Sequence, residues 1–176
     1  MDAETLVLSL LETSPDKEIR GKKRLQKLAY FATNLGARAA VQFSLHDFGP
    51  FSPDVASAAQ MLSLFGEVTE NQIQVGNTKR FVTVYKISDH TTVPESLPLE
   101  VAAKLAQLVP YSTVELEIAS TILYFYNLNH DWAVSIAATQ SLKPTKSVPQ
   151  VIRRATEALS GVQLYEGRRT DPMPGP

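Results

Sequence analysis

Apolar residues recur at helical spacing through Leu6, Val7, Leu10 and Leu11, and Ser14-Pro15 stops the run, which predicts a first helix over 2–13. A polar loop follows. Leu25, Leu28, Ala32 and Leu35, spaced by three and four, then predict a second helix from Gly21 or Lys22 to a closing Gly36. The stripe opposite that apolar face, Lys23, Lys27, Tyr30 and Asn34, is expected to face water or a partner. Residues 43–48 alternate as a short extended segment and run into Gly49-Pro50, a sharp turn. Ser52-Pro53-Asp54 makes a helix start: Ser52 is placed to cap, Pro53 suits the first helical position, and Asp54 complements the positive end of the dipole. Val55, Ala58, Ala59 and Leu62 give this third helix its inward face, and Gly66 closes it.

Residues 68–75 and 80–87 are rich in β-branched and aromatic side chains around Gly76-Asn77-Thr78-Lys79, which predicts a β-hairpin with a loop of about four residues. Three helices and a hairpin in this order suggest a winged helix, with its first strand expected at 43–48. Beyond a linker at 94–98 four helices are expected, over 99–109, 113–128, 132–142 and 149–160. Ser112 with Glu115 forms a capping box, Asp131 can cap the helix opened by Trp132, and 116–128 is apolar nearly all round, as befits a buried central helix. The expected class is therefore α+β and mainly helical: a winged-helix-like part over 1–90, an appended helical part over 91–165 packed on it, and a disordered tail over 166–176.

At 176 residues the chain suits one domain, or one domain with an appendage. It contains no cysteine, which excludes disulfides, thiolate metal sites and a cysteine nucleophile. No apolar run is long enough for a membrane span, and the first residues lack the basic region of a secretory leader, so a cytoplasmic protein without a membrane partner is expected. Seventeen basic and eighteen acidic residues nearly balance at a net charge of −1. The one basic stretch is 15–30.

Chemistry-bearing patterns are sparse. His46, His90 and His130 lie forty or more residues apart with no second ligand at helical spacing, so neither a metal nor a cofactor is expected. His46 and Asp47 are adjacent, but strand neighbours point to opposite faces and do not make an acid–base pair. Ser52 lacks the following glycine of a nucleophile elbow and reads better as a cap. These observations point to a protein that is not an enzyme.

The third helix would be the recognition helix of a winged helix-turn-helix. Its outward residues, Asp54, Ser57, Gln60, Met61 and Leu64, include no cation, a poor match to DNA and a good match to another protein.

The run Arg24-Leu25-Gln26-Lys27-Leu28-Ala29-Tyr30-Phe31, followed by Phe48-Gly49-Pro50-Phe51-Ser52 and a hydrophobic helix, resembles the YwgA-like and Panacea-type domains of bacteria and phages. The resemblance covers about residues 1–88, with Phe48 where tyrosine or tryptophan is common before the Gly-Pro. It implies a small winged-helix-like fold and, from the Panacea side, antitoxins that bind and neutralise toxins. The expected function is thus a non-enzymatic protein-binding module of the antitoxin or inhibitor kind. The expected partner is a protein such as a toxin or effector encoded nearby, met by Lys23, Lys27, Tyr30, Phe48, Phe51, Gln60, Met61 and Leu64. The alternative is a DNA-binding transcriptional regulator using Lys22, Lys23, Lys27, Lys79 and Arg80. Oligomeric state is left open by these patterns.

Overall fold

Each expected helix start is built as its sequence dictates. In the computed structural model, which describes residues 1–165, Ser52 Oγ accepts from the Val55 amide and Asp131 Oδ1 from the Val134 amide. The box at Ser112 is reciprocal: its backbone N–H donates to Glu115 Oε2 at 2.7 Å and its Oγ accepts from the Glu115 amide at 3.2 Å. The resulting architecture is α+β, with seven α-helices and a small antiparallel sheet among the described residues.

The first part contains α1 (Ala3–Thr13), β1 (Glu18–Arg20), α2 (Lys22–Asn34), β2 (Ser44–His46), β3 (Gly49–Phe51), α3 (Pro53–Leu64), β4 (Val68–Gln74) and β5 (Phe81–Ile87). The second contains α4 (Leu99–Ala106), α5 (Thr113–Asn129), α6 (Trp132–Leu142) and α7 (Pro149–Gly161). The expected tail over 166–176 lies outside the described residues.

The hairpin forms as read, with β4 and β5 in register from Val68 opposite Ile87 to Gln74 opposite Phe81. Its neighbour differs from expectation. The strand beside β5 is β1, with Ile19 opposite Tyr85, and the sheet order is β1-β5-β4. Residues 43–48, expected to supply that strand, instead fold back locally, with Ser44 opposite Phe51 and His46 opposite Gly49. The reason lies in length. Glu18-Ile19-Arg20 buries a single side chain, Ile19, so three residues carry too few positions for an alternation to register among the charges.

Helix α5 is the centre of the molecule. Leu116, Ile118, Ala119, Ile122 and Leu123 are buried, and the helix packs against α6 and α7 on one side and against α2 and β3 on the other. One apolar core runs from Leu6 and Phe31 through Leu108 and Ile122 to Leu159, so the helical part is packed on the first part through shared side chains. Each such fully buried side chain is worth about 1.5–3 kcal/mol. Arg24 fastens the same seam. Its guanidinium donates to the carbonyls of Tyr111 (2.7 Å), Val109 (3.0 Å) and Leu108 (3.3 Å), in the turn that follows α4.

Candidate functional site

The two segments that stood out in the sequence meet in space, and each residue of the first has a task on the second. Leu25 and Leu28 are core residues. Gln26 lies between them and is buried. Its Nε2 donates to the Ser52 carbonyl at 3.0 Å, and its Oε1 accepts from the Ser52 amide at 2.8 Å. The side-chain amide thus takes the place of a neighbouring strand for one residue of main chain. Lys27 donates from Nζ to the Pro50 carbonyl at 2.7 Å. Just before these two anchored positions Gly49 adopts φ +85°, and a Cβ added there would lie 2.8 Å from Thr121 Oγ1 on α5.

Two residues expected on the exposed stripe of α2 are therefore misplaced by the sequence reading. Lys27 is 1% exposed and Tyr30 5%, so neither can meet a partner. Tyr30 packs edge-on against Phe43 with ring centroids 5.1 Å apart, and burial pushes its hydroxyl up to about 12. The physical cause is α5, which covers the side of α2 that periodicity assigned to water. With both sides buried, the polar positions turn inward to bond main chain.

Beneath the same corner is a charge cluster that the sequence reading did not identify. Glu117, on α5 and 2% exposed, accepts from Lys143 Nζ at 2.9 Å through Oε1 and from Lys146 Nζ at 2.8 and 3.0 Å. Lys143 also donates to the Asp47 carbonyl. Burial alone would raise the Glu117 carboxyl, but the bonds from Lys146 and Lys143 outweigh it and hold the group below its ordinary range. The available signal was Glu117 itself, a carboxylate within a helix apolar on nearly every side.

Lys27 responds to the same surroundings. Burial pushes its ammonium down to about 8; Lys143, Lys23 and Lys146 push the same way, and Glu117 opposes them. Between that value and the ordinary 10.5 the unfolded chain holds a proton that the folded chain has released, so this group's effect on stability becomes more favourable as pH rises. Across the window it amounts to about 3 kcal/mol. The unfolding free energy of the wild type, measured relative to Lys27→Met by urea titration, is expected to climb by about that much between pH 7.5 and 10.5. A difference that stays flat over this range contradicts the assignment.

Above the corner lies an open cleft of about 650 Å³ between the start of α2, the β2–β3 turn, α3 and the sheet. Lys23, Phe48, Phe51 and Gln60 line it together, with Lys27 at its base. Met61 and Leu64 do not line it. They stand on the exposed side of α3 at 38% and 75% exposure, followed by Phe65 at 68%. Phe48 is 46% exposed, with Lys23 Nζ 3.2 Å from its ring centroid. Of the residues read as a nucleic-acid set, Lys22 pairs with Glu70 at 3.2 Å and Lys27 is buried. Lys79 and Arg80 sit apart on the exposed β4–β5 turn. His46 packs its ring against Phe51, with centroids 5.0 Å apart, and no hydrogen bond joins it to Asp47.

Among the described residues no three His, Asp or Glu side chains gather as a metal-binding set, and no helix is long and apolar enough to cross a membrane. No protein-family model matches the chain, and comparison with curated proteins returns no match.

Proposed function

We propose that this chain is a non-enzymatic protein-binding module of the antitoxin or inhibitor kind, which grips its partner with the exposed side of α3 and the adjoining Phe48 corner. The observation that carries this reading is the make-up of α3. Its outward residues, Asp54, Ser57, Gln60, Met61 and Leu64, contain no cation, and it ends on the exposed apolar trio Met61, Leu64 and Phe65. Apolar and aromatic anchors with a polar rim suit a protein interface, whereas a phosphate backbone needs lysine or arginine.

The winged-helix-like arrangement is part of the proposal. It is supported by the order α1-β1-α2-α3-β4-β5, interrupted between α2 and α3 by the short β2–β3 pair, and by the sheet order β1-β5-β4, in which α3 precedes the hairpin as a recognition helix precedes a wing. Kinship with YwgA-like and Panacea-type domains is proposed on the two motifs at 24–31 and 48–52.

The test is co-expression of the full chain with the product of the adjacent reading frame, followed by single-step purification. The wild type is expected to retain the partner, and Leu64→Asp to lose it at least tenfold at an unchanged melting temperature, because Leu64 is 75% exposed. Fluorescence anisotropy with duplex DNA at about 50 and 200 mM salt addresses the alternative. Binding that falls steeply between the two would overturn the protein-binding reading in favour of a DNA-binding regulator.

A further inference from the structure

Phe48 is a large aromatic side chain that stands exposed with two lysines against its ring. Lys23 Nζ lies 3.2 Å and Lys146 Nζ 4.9 Å from its ring centroid, so the ring is flanked by two ammonium groups. Below it Lys27 and Lys143 hold the Pro50 and Asp47 carbonyls. Four ammonium groups thus lie around one turn, and among the described residues the carboxylate buried with them is Glu117. Lys146 shares Glu117 with Lys143, and Lys23 has no carboxylate partner among the described residues. The corner therefore carries an excess of positive charge fixed by buried bonds, with its two outermost ammonium groups both close to an exposed ring.

From this geometry we infer that the Phe48 corner is a docking site for an acidic segment of a partner protein, its carboxylates meeting Lys23 and Lys146 and an apolar side chain resting on the Phe48 ring. The inference rests on the protein-binding reading and names the chemistry of the partner at this corner. A protein segment fits better than a nucleic acid because the positive field is local. Asp47, in the turn itself, and Glu70, on β4, line the same cleft, so an extended run of phosphates laid along it would meet both acids. A short segment with one or two carboxylates covers less of that acidic lining than a phosphate backbone does. Lys23 is already posed by its contact with the ring, which reduces the ordering cost of binding.

The experiment uses the full chain and a blocked, fluorescein-labelled hexapeptide with four glutamates flanking a leucine and a phenylalanine, titrated by anisotropy to millimolar protein. A lysine version of the peptide and a labelled DNA duplex are run in parallel. The acidic peptide is expected to bind and the lysine peptide not to. Lys23→Glu is expected to weaken the acidic peptide at least tenfold with an unchanged melting temperature, and Lys17→Glu, an exposed charge reversal outside the cleft lining, to leave it within twofold. Equal binding of both peptides, or less than a twofold effect of Lys23→Glu, overturns the inference. So does tighter, Lys23-dependent binding of the duplex. The two readings fail separately: loss of the co-expressed partner in Leu64→Asp, together with no acidic-peptide binding, removes this inference and leaves the protein-binding module standing.

Discussion

Gly49→Ala is expected to destabilise the protein by about 3 kcal/mol, combining the strain of a left-handed backbone with overpacking against a neighbouring helix. Gly49 holds φ +85°, and its added Cβ would meet Thr121 Oγ1 at 2.8 Å, with the Glu117 carbonyl and Lys27 Nζ each at 3.4 Å. None of the three can retreat freely. Thr121 donates to the Glu117 carbonyl within α5, and Lys27 is fixed on Pro50. Gly66 provides the internal control. It has φ +78° and nothing within 4 Å of an added Cβ, so Gly66→Ala should carry only the backbone strain, about 1–2 kcal/mol. Urea unfolding of the two variants separates close approach from strain. Equal losses would contradict the tight seating of the Gly-Pro turn against α5.

Glu117→Gln carries the other large effect, a loss of about 3–5 kcal/mol, because breaking a buried ion pair leaves the opposite charges uncompensated. Lys143 and Lys146 both bond this carboxylate, and Lys143 is buried with it. The amide preserves size and shape, so the loss is one of charge rather than packing. Replacing Glu117 by Leu and Lys143 by Met together is expected to recover most of it, since apolar residues of similar volume often substitute for a buried pair without loss. Acid should act in the same direction as Glu117→Gln. A carboxyl held below its ordinary value contributes stability that is complete above the unfolded-state value of 4.5 and disappears as pH falls through the lower folded value. A Glu117→Gln variant as stable as the wild type at neutral pH would refute the cluster's structural role.

Much of the helical framework is legible from local signals. The caps at Ser52, Ser112 and Asp131 and the inward face Val55-Ala58-Ala59-Leu62 need only neighbouring residues, and these are where reading and structure agree. What escapes the reading depends on partners far along the chain. Lys27 bonds Pro50 and Tyr30 meets Asn127, separations of 23 and 97 residues, and no period in α2 announces that a second helix will cover its polar side. Glu117, Lys143 and Lys146 come together only once α5 has been wrapped by the chain beyond α6. For the same reason the candidate site was legible only in part. Lys23, Phe48, Phe51 and Gln60 do share one cleft, and Met61 and Leu64 are exposed on α3, whereas Lys27 and Tyr30 are committed to holding the fold.

In the proposed function, recognition falls to the exposed side of α3, whereas the buried polar residues of α2 hold the fold. The most direct measurement is the amount of co-expressed partner retained by Leu64→Asp and by Lys27→Met, compared with the wild type after each variant's folding is verified by circular dichroism. Loss at least tenfold in Leu64→Asp, with wild-type retention in Lys27→Met, is the predicted result. Retention by Leu64→Asp, or loss by a folded Lys27→Met, would contradict it.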